Sequence, residues 1–305
     1  MAEFVRKPGP PNIKAANSNT LSDQYRDAIT IAYQFIGATV ASTAFSFAGR
    51  TFDTPIMAGP VGVPAPGKAP GESDLDFSKA VSAAGSVYWG TFHHPEAWKA
   101  TLAEGVPAIR TIKPLADMDR ILEEVAYDTG HGAIGYAMDI DHGITAYGQL
   151  DAQKEPFAPK TLSDLRTISE ASPLPFYMKS ILSVRDALLA AEAGAAGIVV
   201  SCHNNRFPCA VPALKILPAI RKAVGKDFTI LVDGGMNTGY DVFKALALGA
   251  DGVLCARALA GAYAQEGAEG VTQKILEMTA ELKGAMANTG SVDLAHINSD
   301  CLILP

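Results

Sequence analysis

The sequence predicts an α/β fold, a (β/α)8 TIM barrel with an N-terminal helical extension. Three observations lead there. From about residue 54, short apolar, β-branched stretches alternate with longer helical patterns, the rhythm of parallel strands linked by crossover helices. The strands are apolar nearly throughout, as a parallel sheet covered on both faces requires. Polar and glycine residues recur at one end of them. The expected strands are 55–60, 85–92, 107–112, 133–140, 175–180, 197–201, 229–234 and 251–256. Helical patterns follow over Pro95–Ala103, Leu115–Tyr127, Thr161–Ala171, Val184–Ala193, Pro212–Val224, Tyr240–Leu248 and Val271–Met286. After the first strand, "VGVPAPGKAPGESD" reads as loop before its helix. Residues 1–20 read as a loose arm and 21–45 as a helix, so the expected division is 1–45 for arm and helix and 46–305 for the barrel. A doubly wound open sheet is the runner-up, weakened because no GxGxxG follows the first strand.

Composition bounds the function. Apolar residues make up 48% of the 305-residue chain and charged residues 19%, enough for a full core and too few charges for long disordered tracts. With a net charge of −7 and no basic cluster, nucleic acid is not an expected partner. Cys202, Cys209, Cys255 and Cys301 form no CxxC pair, which argues against a zinc site or redox dithiol and fits a reducing compartment. The N-terminal residues have no apolar core and no apolar run has the length of a membrane span, so a cytoplasmic protein without membrane contact is expected. His93 and His94 are adjacent, His131 and His142 isolated. All four read as loop or surface residues, and no metal site is expected.

In such a barrel the active site forms at the C-terminal strand ends. In order these hold Gly59-Pro60, Thr91, Arg110, Asp139 with Asp141, Lys179, His203 with Arg206, Asp233-Gly234-Gly235 and Ala256-Arg257. Loops after the last two strands, with a helix N-terminus, form the common phosphate site of barrels. Gly234 and Gly235 let backbone N–H groups approach an anion, and Arg257 adds a charge. A glycine turn beside a surface arginine would read the same. Lys179 needs an anionic partner: an electron-rich ring, a carbonyl in a Schiff base, or a carboxylate. In "GIVVSCHNNRF" a strand runs out into His203, a proton acceptor near neutral pH, and Arg206, a carboxylate clamp. Asp141 would orient the imidazole. Alternatively, His203 is a buried histidine capping a carbonyl.

"MKSILSVRDALLAAEAGAAGIVVSCHNNR", "VDGGMNTGYDVFKALALGADGVLCAR" and "MANTGSVDLAHIN" resemble the FMN-dependent α-hydroxy-acid oxidase and dehydrogenase family. "PIMAGPVG", "PGESD", "TIKP" and "YAMDIDHG" stand where that family has its earlier strand ends, so the resemblance covers roughly residues 45–300. It implies FMN at the barrel mouth and a small 2-hydroxy acid oxidised to a 2-oxo acid. Lys179 would stabilise the reduced ring. Ala58, Gly59 and Pro60 would pass under it, Thr91 would touch it, and Asp139, Ser201 and Asp233 would complete its surroundings. Gly234, Gly235, Ala256 and Arg257 would hold the phosphate. His203 would be the base, Asp141 its orienting group, and Arg206 with Arg110 the substrate's anchors. The resemblance leaves the electron acceptor open, oxygen or another carrier, and implies a homo-oligomer.

The chain departs from the family at several of these points. Asn204 and Asn205 replace two glycines, Cys202 an asparagine, Asn237 an arginine, Ala256 a glycine and Ile112 a tyrosine. Arg110 stands where a polar amide is usual, and the family's N-terminal substrate tyrosine has no match. Two rivals therefore stand beside the first reading: a flavin enzyme of another class, such as an isomerase of the type 2 isopentenyl-diphosphate kind, and a non-catalytic binding protein that kept the barrel.

Overall fold

The computed structural model describes residues 17–63, 71–91 and 94–305. Most of the expected loose arm, His93 and the middle of the loop after the first barrel strand lie outside them. Eight parallel strands close a barrel in sequence order: β4 (Ile56–Ala58), β5 (Tyr88–Gly90), β6 (Ala108–Ile112), β7 (Gly135–Asp139), β8 (Phe176–Ile181), β9 (Gly197–Val200), β10 (Thr229–Asp233) and β11 (Gly252–Cys255). Around it stand α2 (Glu72–Ala83), α3 (Pro95–Ala103), α4 (Met118–Gly130), α5 (Leu162–Glu170), α6 (Val184–Glu192), α7 (Ala213–Val224), α8 (Gly239–Ala247) and α9 (Arg257–Ala287).

Alternation along each strand divides the core in two. Met57, Trp89, Ile109, Ala137, Tyr177, Val199, Leu231 and Leu254 fill the barrel interior. Their neighbours Ile56, Ala108, Ile112, Tyr136, Met178, Ile198, Ile230 and Val253 pack outward with the helices. A hairpin of β2 (Phe45–Phe47) and β3 (Arg50–Phe52) joins the interior cluster at the strands' N-terminal ends, through Phe45, Phe47 and Phe52. Its Ala48-Gly49 turn has both φ values positive, 48° and 73°, which matches the twist of a two-residue hairpin.

The N-terminal extension differs from the expected single helix over 21–45. The helix α1 is Ser18–Ala28, capped by the Asn17 side chain. The β-branched run that follows leaves helical geometry, and β1 (Thr30–Ile31) pairs antiparallel with β12 (Leu302–Ile303) near the C-terminus. Phe45, placed in the arm by the expected division, already belongs to β2. The last long helix begins at Arg257 rather than Val271, and Gly267 (φ 63°, ψ −147°) interrupts it.

Candidate active site

Register brings the charged residues together. Asp139 on β7 and Lys179 on β8 are Cα partners, both pointing into the barrel and both 2% exposed. Lys179 Nζ lies 3.3 Å from Asp139 Oδ1 and 3.3 Å from Asp233 Oδ2, at the end of β10. Ser201 Oγ donates to Asp233 Oδ2 at 3.1 Å and accepts from the His203 amide at 3.0 Å. Burial works against the Lys179 ammonium, but Asp139 and Asp233 outweigh it and raise its pKa, so the amine stays protonated. A Schiff-base role needs the opposite shift. Burial also pushes the Asp139 carboxyl up, while Lys179, Lys113 and His203 hold it well below the usual range.

His203 and Arg206 lie beside this cluster. His203, Asn204 and Asn205 adopt positive φ in succession, at 43°, 53° and 62°; asparagine tolerates this region better than most residues. The turn aims His203 Nδ1 at Asp141, 2.9 and 3.0 Å from its two oxygens, with Ser180 Oγ at 3.3 Å. A carboxylate only accepts, so Nδ1 is the donor toward Asp141, and in the neutral ring the lone pair lies on Nε2. Burial raises the Asp141 carboxyl, but the hydrogen bond and charge of His203 outweigh it and hold it low. Arg206 Nε donates to the Asp141 carbonyl at 3.0 Å, and its Nη2 donates to Asp151 Oδ2 at 2.5 Å.

Three expectations need correction. Arg110 does not reach the mouth. Ile109 and Thr111 take the inward positions, so Arg110 points outward, 5% exposed, paired with Asp128 at 2.7 Å and with Glu124 on α4. Its guanidinium carbon sits 5.5 Å from the Trp98 ring centroid. Ile112 faces outward for the same reason, and the inward partner of Thr111 is Lys113, whose Nζ donates to Asp139 Oδ2 at 2.6 Å. His142 is no surface residue: it is 8% exposed, with its ring 4.9 Å from that of His203 and its Nδ1 3.2 Å from Asp151. Burial, with the charges of Lys113 and Arg206, pushes His142 down to about 4. From sequence, Lys113 and Asp151 had no role and His142 read as a loop or surface residue. Alternation ties Lys113 to the face of Thr111, but which face that is follows only from the packing of Arg110 against α4.

Thr91 follows β5 and borders a cavity of about 10 Å³ with Asp74, Tyr88, His94 and Trp98. Asp139, His142 and His203 bring ligand atoms within 4.8 Å of one another. Asp139 is already matched by two ammonium groups, and that charge works against a divalent cation.

The residues at the mouth fit FMN. Lys179 has two carboxylates at ion-pair distance, and an ammonium has three N–H donors. That leaves donor capacity for a ring carbonyl or nitrogen. Gly234 has φ 109°, and a Cβ there would meet only Cys202 Sγ at 3.9 Å, so the backbone is open to a ligand. The N-terminus of α9 has no side-chain cap and starts with the exposed Arg257, a combination that suits phosphate. Ala256 is its N-cap residue. Gly59, between Ala58 and Pro60 at the end of β4, lies so near β11 that a Cβ would sit 3.2 Å from Leu254 Cβ. Gly235 is covered instead: Arg26 of α1 donates to its carbonyl, and Asn237 N–H is held by Asp241.

The FMN-dependent dehydrogenase family matches residues 145–304, just over half of the chain. An L-lactate oxidase of Alicycliphilus denitrificans is 44% identical over 140 residues, 46% of this chain and 38% of the relative. A 4-hydroxymandelate oxidase of Amycolatopsis orientalis is 40% identical over 149 residues, 48% of this chain and 41% of the relative. The chain thus aligns with less than half the length of these curated relatives. Among solved structures, a mandelate oxidase variant with the monooxide FMN adduct superposes with a TM-score of 0.83 at 28% identity, covering 95% of this chain and 91% of the other. Mandelate oxidase itself gives 0.84 at 26% identity, covering 95% and 90%. With the family's pattern running from residue 145 to 304 and its barrel shape extending over nearly the whole chain, the protein belongs to the FMN-dependent dehydrogenases.

Proposed function

We propose that this protein oxidises a small 2-hydroxy acid to the 2-oxo acid, with FMN held at the mouth of the 46–305 barrel. The observation that carries the reading is the pair His203–Asp141 with Arg206 three residues on, beside the buried Lys179. His203 Nε2 takes the proton of the substrate hydroxyl, and Asp141 stabilises the imidazolium that forms. Arg206 binds the carboxylate and fixes the hydroxyl toward His203. FMN, when bound, would supply the acceptor for the hydrogen and electron pair that leave the substrate's α-carbon. Lys179 would offer its ammonium to the ring, Gly234, Ala256 and Arg257 would hold the phosphate, and His142, uncharged near neutral pH, would exclude water beside the base.

The curated relatives named lactate oxidase and 4-hydroxymandelate oxidase support this substrate class. The acceptor is oxygen or another carrier. We place the protein in the cytoplasm, because all four cysteines are unpaired; no helix among the described residues is long and apolar enough to cross a membrane. A homo-oligomer accords with the exposed apolar side chains of Tyr33, Phe35, Ile36 and Val40.

The test is product formation. FMN-loaded protein is given a panel of 2-hydroxy acids with an artificial electron acceptor, and 2-oxo acid is measured. At least one acid is converted by the wild type, and Arg206→Met loses most of that activity through KM. No conversion of any acid, with FMN bound, would overturn the substrate class.

A further inference from the structure

The reaction as derived gives Lys113 no part, yet this lysine is 8% exposed and ends inside the barrel mouth. Burying an ammonium is costly unless a paired charge offsets it. Lys113 meets Asp139, which already faces Lys179. The carboxylate is shared, with Lys113 Nζ 2.6 Å from Oδ2 and Lys179 Nζ 3.3 Å from Oδ1. Lys179 has its second carboxylate, Asp233, at 3.3 Å. The direct ion pairs therefore join two ammoniums to two carboxylates, with His203 Nδ1 3.8 Å from Asp139 Oδ1. Without Lys113 this set would carry a net negative charge next to the one ammonium that faces the ring, and without Asp139 a net positive one.

Charge at that place has a consequence for the cofactor. FMN gains negative charge when reduced, and in a desolvated site a neighbouring charge acts with little screening. We propose that Lys113 and Asp139 act in opposition to set the reduction potential of FMN held against Lys179, as positioning residues that touch neither substrate nor the reacting atoms. The proposal rests on the FMN reading above. Lys113 keeps the Asp139 carboxylate from cancelling the Lys179 charge, and Asp139 keeps the two ammoniums from over-stabilising the reduced ring.

Spectroelectrochemical titration of the FMN-loaded protein decides it. Lys113→Met lowers the reduction equilibrium constant at least tenfold, about 30 mV for a two-electron couple. Asp139→Asn raises it by a similar factor. Lys113→Arg, which keeps the charge, restores the wild-type value, and the double variant Lys113→Met/Asp139→Asn, which removes one charge of each sign, returns close to it. Because Lys113→Met leaves a buried carboxylate less matched, the double variant and Asp139→Asn still decide the matter if that protein does not fold. Potentials that stay within threefold of wild type, or that move the same way in Lys113→Met and Asp139→Asn, overturn the proposal while FMN binding itself stands. Wild-type protein that takes up no FMN overturns the cofactor reading, and the proposal with it.

Discussion

His142 shows how a single side chain changes meaning with its surroundings. In the folded chain its imidazole stays neutral down to about pH 4, against 6.5 for an unhindered histidine, because it is buried near Lys113 and Arg206. As pH falls from 6.5 to 4 the unfolded chain binds a proton that the folded chain refuses, so stability is lost across that window, by at most about 3 kcal/mol. His142→Gln should flatten that slope, as read by denaturant unfolding at pH steps between 7 and 4. Asp139 and Asp141 belong to a separate window: their carboxyls sit below 3.8, so the stability they add is lost only as pH drops further. At the base itself, His203→Gln should cut the rate of FMN reduction by about 10²–10⁴ with FMN still bound, checked by rapid mixing and by the visible spectrum. A His203 that only caps backbone would show no such loss.

Strand β6 and helix α1 are where local pattern and tertiary role part company. A one-residue shift in β6 flips every side chain to the other face, and nothing within "AIRTIKP" alone marks which face Arg110 takes. Trp98 and Asp128, far along the chain, decide it. Arg110→Met should therefore destabilise the fold by roughly 3–5 kcal/mol through the uncompensated Asp128, while FMN affinity and KM stay near wild type. Thermal unfolding and flavin titration separate the two. The asparagines in the His–Arg turn also find their reason in another element. Asn205 Oδ1 accepts from the Ser18 amide at 2.7 Å and Asn204 Oδ1 from Asn19 Nδ2 at 2.9 Å, so side chains where the family has glycines hold α1 over the turn. Asn205→Ala should speed amide hydrogen exchange across Ser18–Ala28 and leave the barrel strands protected. The β-branched run at residues 29–31 was the sequence's own sign that α1 ends early; the pairing partner that exploits it, at 302–303, lay too far away to be seen.

At the scale of the molecule, the barrel was legible because each of its parts is local. Apolar strand runs, helix periodicity and polar strand ends can each be read within a few residues, and together they place Lys179, Asp139, Asp233, His203, Asp141 and Arg206 at one mouth. What stayed illegible is what sits between elements: the sharing of Asp139 by two lysines, the His142–His203 contact and the tie from Asp151 to Arg206. The family pattern is strongest over residues 145–304, whereas Lys113, Asp139 and His142 lie ahead of it, so the site joins a familiar half to a less familiar one. Whether the two halves work together is best asked by mixing FMN-loaded protein anaerobically with 2-hydroxy acids and following the visible flavin band. The account predicts that the band bleaches with at least one acid, and does so about 10²–10⁴-fold more slowly in His203→Gln. A band that persists in wild-type protein with every acid would contradict it.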